Sequence, residues 1–505
     1  MTPPDSRISR RAFCQSAVAG SLAFAFGHTP EAATGRSTPT AERAFASSFE
    51  NVPDRYGPTT VRFNVPLPDG LRGTVYRNGP ARMQRGDTRY NHWFDGDGMV
   101  HAFAMDGTHL RHRARMVDTA RSAAEAAADR FLWSGFGTGF EDGQSVNHPD
   151  DVNVANISVL PVDGEVLALW EAGSPYRLHA ETLETLGRHV FSPETDGLPF
   201  SAHPRVDPTG RIWNFGYLAG SGKLALYDLD PDGALHRVTL IDAPNADMVH
   251  DFAVTEDHLV FVLQPLRFEQ HGDQNTPFLD KLHWDRSGAV HVMLVDKATL
   301  DVSHRFELPA FFAFHLGNAW RDGQTLSVEV ATAPDFHPLM AEIEAATRGV
   351  RLPATTGQAQ AAEIRLNLAT GTATIDALPT SGIDFPRFDQ RFTGQRTASL
   401  VMMSRTASLP RAAFGFNAVT VFDRQRGEEH MFDYGGNTLA EEHLFVPAPR
   451  GAEGEGWVIG THYNWTTCRT GLSVFDAAHV EDGPIAEATL PYGLPMGLHG
   501  QYVAA

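Results

Sequence analysis

Histidine is the residue with most to offer chemically in this chain. The sequence carries 23 His but only two Cys, Cys14 and Cys468. With one of those in the N-terminal segment, neither a disulfide framework nor a thiolate metal cluster can form. Any metal site must be built from imidazoles and carboxylates. Four His sit in short apolar or Gly-rich contexts. They are His203 in Ser201-Ala-His203-Pro-Arg-Val-Asp207, His250 in Met248-Val-His250-Asp-Phe, His315 in Phe311-Phe-Ala-Phe-His315-Leu-Gly-Asn318-Ala-Trp320, and His499 in Gly497-Leu-His499-Gly-Gln. Neutral imidazole is a common metal ligand. Taken singly, each of the four reads more readily as a structural histidine. They are far apart in sequence, so only a fold that returns distant segments to one point can join them.

The chain repeats a local pattern that supplies such a fold. An alternating apolar strand ends on Asp, Asn or His, turns, and continues into another strand. The anchors are Asp106, His179, Asp228, Asp296, Asn367, Asp423 and Asp476, with a mean spacing of about 62 residues. Period-2 alternation with Asp and Gly turns marks strands. Seven such hairpins predict an all-β, seven-bladed β-propeller with a central channel lined by the innermost strand of each blade. A two-sheet sandwich does not need seven similar hairpins. The uneven gaps predict long loops leaving some blades. Ala-rich residues from Ala120 to Phe131, and Pro338 to Thr347, read as short helical insertions, which with the loops would cap the axis. Gly 46 and Pro 32 agree with many turns and short elements.

Composition narrows the function classes. Lys+Arg 41 against Asp+Glu 61 gives a net charge of −20, which argues against a general nucleic-acid binder. Ser9-Arg10-Arg11-Ala12-Phe13 precedes a weakly apolar run from Ala17 to Phe26, with a plausible cleavage neighbourhood at Ala32-Ala33. Paired arginines before such a run read as a twin-arginine export signal, so residues 1–35 are set aside as an address and 36–505 as the folded domain, expected in the periplasm. The run is too short to span a bilayer, and no later segment has 18 consecutive apolar residues, so no transmembrane helix is expected.

Several motifs taken together are more specific. Asn78-Gly-Pro80, His92-Trp-Phe-Asp-Gly-Asp-Gly98-Met-Val-His101, Leu167-Ala-Leu-Trp-Glu171, Ala202-His203-Pro, His250-Asp-Phe, His315 and Gly497-Leu-His499-Gly occur in order from about residue 60 to 503. In this the chain resembles the carotenoid cleavage oxygenase family. The resemblance implies a seven-bladed propeller with one non-haem Fe(2+) per chain on its axis, held by His203, His250, His315 and His499. It also implies three acids behind those ligands. Glu171 matches the first and Glu442, before Phe445-Val-Pro447, the third. Asp384, in Ile383-Asp-Phe-Pro-Arg387, stands where the family usually has Glu. Being one methylene shorter, it is expected to reach its imidazole by a longer or water-mediated bond, or not at all. Each acid taken alone reads as a solvated or strand-end carboxylate.

This set has a chemical logic. Four neutral imidazoles leave the ion its full charge, carboxylates on the outer N–H orient the rings, and the remaining coordination positions are open to O2. By the resemblance, Ile157 shields one open position; by itself it reads equally as core. The implied reaction is oxidative cleavage of a conjugated C=C bond by O2 into two carbonyl products. A hydrophobic polyene calls for an apolar tunnel, for which Phe311, Phe312, Phe314 and Trp320 are candidates, with Phe131, Leu132, Trp133 and Phe136 at its mouth. A peripheral membrane contact at the mouth follows from the same insolubility. Trp170 occupies the position where stilbene-cleaving members typically carry Lys, which favours a carotenoid or apocarotenoid substrate over a stilbenoid such as lignostilbene or resveratrol. Two other classes fit a propeller: a non-enzymatic ligand-binding protein, and a hydrolase around a divalent cation held by carboxylate and Asn oxygens.

Overall fold

The computed structural model describes residues 47–505 except 271, 274, 351–358 and 412. The export signal expected in residues 1–35 lies outside the described residues. Strands dominate, with two α-helices among the described residues, α1 (Ala120–Ala128) and α2 (Phe336–Thr347).

Seven antiparallel sheets form a β-propeller. Blade 2 runs outward through Ser158–Val162, Glu165–Leu169, Tyr176–His179 and Thr185–Arg188; blade 3 through Arg205–Val206, Ile212–Leu218, Lys223–Leu229 and Leu235–Asp242. Blade 4 comprises Ala253–Val254, His258–Leu263, Ala289–Asp296 and Val302–Pro309; blade 5 Leu316–Asp322, Thr325–Thr332, Gln360–Asn367 and Thr372–Ser381. Blade 6 comprises Ile383–Arg387, Ser399–Ser404, Ala418–Asp423 and Glu428–Asp433; blade 7 Thr438–Pro447, Gly456–Asn464, Arg469–Asp476 and Ala486–Thr489. Blade 1 closes the ring from both ends of the chain. Its inner strand is the C-terminal Gly500–Ala504, paired with Gly73–Arg82, followed outward by Asp97–Met105, His109–Met116 and Arg55–Arg62.

Six of the seven anchors fall at the end of the third strand of a blade, where it turns, and Asp228 lies one residue inside that end. The reason is local: Asp106, Asp296, Asn367, Asp423 and Asp476 each accept backbone N–H groups from the turn that follows. The long gaps hold insertions: α1 and its loops after blade 1, a hairpin (Leu266–Phe268, Leu282–Trp284) in blade 4, and α2 in blade 5. Both helices occupy the predicted insertions, within a few residues of the predicted ends.

Much of the hydrophobic packing lies between blades. The middle strands are apolar on both faces, as in the fully buried His258–Leu263, whereas the outer Val302–Pro309 alternates buried and exposed. Apolar clusters fill the space between adjacent blades, for example Val260, Val292 and Leu294 of blade 4 against Val328 and Ile364 of blade 5. Each such side chain contributes roughly 1.5–3 kcal/mol by leaving water.

Candidate metal centre and substrate cavity

The four histidines occupy equivalent places. His203, His250, His315 and His499 come one to three residues before the inner strands of blades 3, 4, 5 and 1. The acids come from the other three blades: Glu171 after the second strand of blade 2, Asp384 on the inner strand of blade 6, and Glu442 on that of blade 7. Every blade therefore delivers one member of the site.

One ring nitrogen from each His lies within 4.8 Å of all the others. The Nε2 atoms of His203 and His250 are 2.9 Å apart, and those of His315 and His499 are 3.2 Å apart. Two nitrogens at right angles about one ion, each about 2.1 Å from it, are separated by about 3 Å. The donor set thus fits a single divalent metal. The outer nitrogens face the acids: His250 Nδ1 to Glu171 Oε2 at 3.1 Å, His315 Nδ1 to Asp384 Oδ1 at 2.8 Å, and His499 Nδ1 to Glu442 Oε1 at 2.9 Å. An Nδ1–H donated outward leaves the Nε2 lone pair pointing inward. No carboxylate among the described residues hydrogen-bonds His203. Burial and the neighbouring imidazoles hold His203 well below the usual imidazole range. Burial also opposes charge on His315, but Asp384 beside it keeps its pKa above the ordinary value. Burial likewise opposes ionisation of Glu442, yet Arg387 and His499 bring its carboxyl down to about 2.

Asp384 corrects the expectation of a long or absent bond: its contact with His315 is direct. The missing methylene is compensated by the backbone. The pairing register shifts between Asp384 and Arg387, and Phe385 adopts a left-handed φ of 56°. Its own N–H bonds Asp384 Oδ1 at 2.8 Å, and its ring stacks on His315 with centroids 4.8 Å apart.

Three residues inside the recognised motifs carry functions that the sequence did not assign. Arg205 Nη2 donates to both Asp251 oxygens at 2.8 and 2.7 Å and to the Leu316 carbonyl at 2.8 Å, while Leu316 N–H donates to Asp251 Oδ2 at 2.8 Å. This clamp ties together the segments bearing His203, His250 and His315. Arg387 Nε donates to Glu442 Oε1 at 2.8 Å and so fixes the acid behind His499. A further buried pair, Arg77 with Glu441, holds the turn before His499: Arg77 reaches the Pro495 carbonyl and Glu441 the Gly497 N–H. The signal available was proximity, since Arg205 and Asp251 lie within two residues of a ligand.

A cavity of about 740 Å³ opens over the site, with His250, His315 and His499 in its wall. Ile157 lines it, and its carbonyl accepts the His499 N–H at 3.2 Å. Of the expected tunnel aromatics, Phe314 lines the cavity, 5.0 Å from the His250 ring. Phe312 stands behind it, edge-on at 4.8 Å. Phe311 and Trp320 are corrections. Alternation turns Phe311 and Ala313 into the core between blades 4 and 5, and Trp320, far along the inner strand from His315, lies under the Arg424 guanidinium. At the mouth, Phe136 lines the cavity, whereas Phe131 stacks on Tyr90 at 3.8 Å and, like Leu132 and Trp133, does not.

A family model described as retinal pigment epithelial membrane protein (RPE65) matches residues 49–504. Isoeugenol monooxygenase of Pseudomonas nitroreducens is 28% identical over 458 residues, covering 86% of this chain and 93% of its own. Apocarotenoid-15,15'-oxygenase of Synechocystis sp. is 27% identical over 463 residues, 86% of this chain and 91% of its own. Lignostilbene-alpha,beta-dioxygenase isozyme III of Sphingomonas paucimobilis is 29% identical over 463 residues, 87% and 92% respectively. The solved structure of a cobalt-substituted Synechocystis ACO superposes with a TM-score of 0.81 at 23% identity, over 92% of this chain and 99% of that one.

Proposed function

The chain belongs to the RPE65/carotenoid cleavage oxygenase family, and from that premise we propose that it is an Fe(2+)-dependent dioxygenase that splits a conjugated C=C bond of a carotenoid or apocarotenoid with O2 into two carbonyl products. The observation that carries this reading is the meeting of four imidazole nitrogens within 4.8 Å at the wall of an apolar cavity. Bound ferrous iron would supply O2 activation. The remaining tasks fall to the chain. His203, His250, His315 and His499 would hold the ion, and Glu171, Asp384 and Glu442 keep three of them in the tautomer that presents Nε2. Phe314 and Phe385 pack against the ligand rings, and with Ile157 they keep water from the reacting bond. The aromatic wall, including Phe94, Phe136 and Trp170, orients a rigid polyene beside the metal.

A stilbenoid or phenylpropenoid substrate is the second reading. It is favoured by the relatives named for isoeugenol and lignostilbene, which are as similar as those named for apocarotenoids. Iron-loaded protein incubated with apocarotenals, hydroxystilbenes and isoeugenol under isotopically labelled O2 tests both, with products read by mass. Label in both carbonyl products supports the dioxygenase reading, and the cleaved skeleton names the substrate; no cleavage in any arm sinks it. We also place the protein in the periplasm, exported by the twin-arginine route; fractionation of an Arg10→Lys/Arg11→Lys variant, expected to remain in the cytoplasm, tests that placement. Because no helix among the described residues is long and apolar enough to cross a membrane, delivery of an insoluble substrate is assigned to peripheral contact near the exposed Val146 in the cavity lining.

A further inference from the structure

Three cavity-lining carboxyls stand outside the metal centre, and of these Asp95 is bonded by Thr138 and Glu441 by Arg77, which leaves Glu342. Glu342 lies on α2, on the same face as Leu339 and Ile343, and all three line the cavity. Glu342 is 8% exposed, and its carboxyl makes no hydrogen bond or ion pair among the described residues, with Oε1 fully buried. The nearest compensating charge, Arg405, is already committed to the carbonyls of Ala413, Gly415 and Pro410 at 2.8, 3.1 and 2.9 Å. Burial raises the Glu342 pKa to about 7, against the pull of Arg405. A buried carboxyl without a partner destabilises a fold, and an apolar side chain would fill this helix position at less cost. A second orphan lies in the same wall: the indole N–H of Trp93, on the turn that packs against α2, has no acceptor.

We propose that Glu342 anchors a hydroxyl group of the substrate, so that the alkene cleaved carries a hydroxyl at the end seated under α2. The chemistry selects this group. A hydroxyl both donates and accepts, so it satisfies Glu342 whether the carboxyl is ionised or neutral, whereas an aldehyde oxygen, which only accepts, satisfies it only when it is neutral, and a hydrocarbon end satisfies it in neither state. The inference rests on the cavity being the substrate site of the proposed oxygenase and narrows its substrate class. Two skeletons can present the group, a ring-hydroxylated apocarotenoid or a phenol.

The test uses pairs differing by one hydroxyl: a ring-hydroxylated apocarotenal and its unsubstituted counterpart in one arm, a hydroxystilbene and its deoxy counterpart in the other. Wild-type holoprotein is expected to prefer the hydroxylated member in one arm, mainly through KM, and that arm identifies the skeleton. Glu342→Met is expected to reduce the preference about tenfold or more, with Glu342→Gln, which keeps an acceptor oxygen, intermediate. A Tm for Glu342→Met no lower than wild type shows that the fold is intact. Absence of a preference in both arms, or a preference untouched by Glu342→Met, overturns the proposal. The same ratios measured as binding under nitrogen, by quenching of Trp fluorescence, decide it even if no pair is cleaved, an outcome that would count against the oxygenase reading alone.

Discussion

At the scale of single residues, the centre depends on donors held in one protonation state. His203→Ala removes a quarter of the donor set and is expected to abolish iron binding by elemental analysis together with cleavage, leaving the far-UV circular dichroism unchanged; retention of stoichiometric iron would contradict the ligand set. Asp384→Asn keeps the shape but loses the charge that His315 faces at 2.8 Å. Such outer partners are worth about 10–100-fold in metal affinity or activity, and a loss of that size is expected in iron titrations. Glu342 gives a pH signature. Its folded pKa of about 7 lies above the ordinary 4.5, so between those values the folded state holds a proton that the unfolded state has released. Stability contributed by this group is therefore present below about pH 4.5 and declines as pH rises to about 7. Urea titrations should show wild type losing stability relative to Glu342→Met over that window; parallel pH profiles would contradict the assignment. The four His were legible in the sequence as a set, through the order of the family motifs that carry them; the apolar or Gly-rich context of each one made it a candidate but did not tell a ligand from a structural histidine. The clamp residues Arg205 and Asp251 were not, because nothing local tells an ion-paired Arg from a solvated one.

At the scale of elements, the regularity of the site comes from the blade. Inner strands begin at the axis, so the residue just before each one is placed there irrespective of its position in the chain. The Arg205–Asp251 clamp then sets three of these starts against one another. Its side chains are 13% and 2% exposed, and removing one partner of a buried pair typically costs about 3–5 kcal/mol. Asp251→Ala is expected to lower Tm and to weaken iron retention during dialysis against a chelator, although it touches no metal. An unchanged iron off-rate would show that the strands hold register without it. The same geometry explains the misplaced tunnel aromatics. Consecutive residues of an extended segment point to opposite sides, so Phe312 and Phe314 face the cap while Phe311 faces the blade core. The run Phe311-Phe-Ala-Phe marks an aromatic segment without saying which parity faces the cavity.

At the scale of the whole molecule, ring closure and catalytic competence are one event. Gly500–Ala504 completes blade 1 by pairing with Gly73–Arg77, and His499 immediately precedes it. Truncation after His499 is expected to remove the cooperative thermal transition and iron binding together; a truncated protein that keeps both would show that blade 1 closes without its inner strand. Blade number and approximate boundaries followed from sequence alone, because most anchors, such as Asp106, Asp296, Asn367, Asp423 and Asp476, make their turns from their own neighbours, and the four ligand candidates followed from local context and motif order. The sequence could not determine which carboxylate reaches which imidazole, how a backbone bulge lets Asp384 do the work of a longer acid, or that Glu342 faces the cavity without a partner. Those are distances between segments far apart in the chain, and they are set only when the interblade apolar layers pack and bring every inner strand to a common axis.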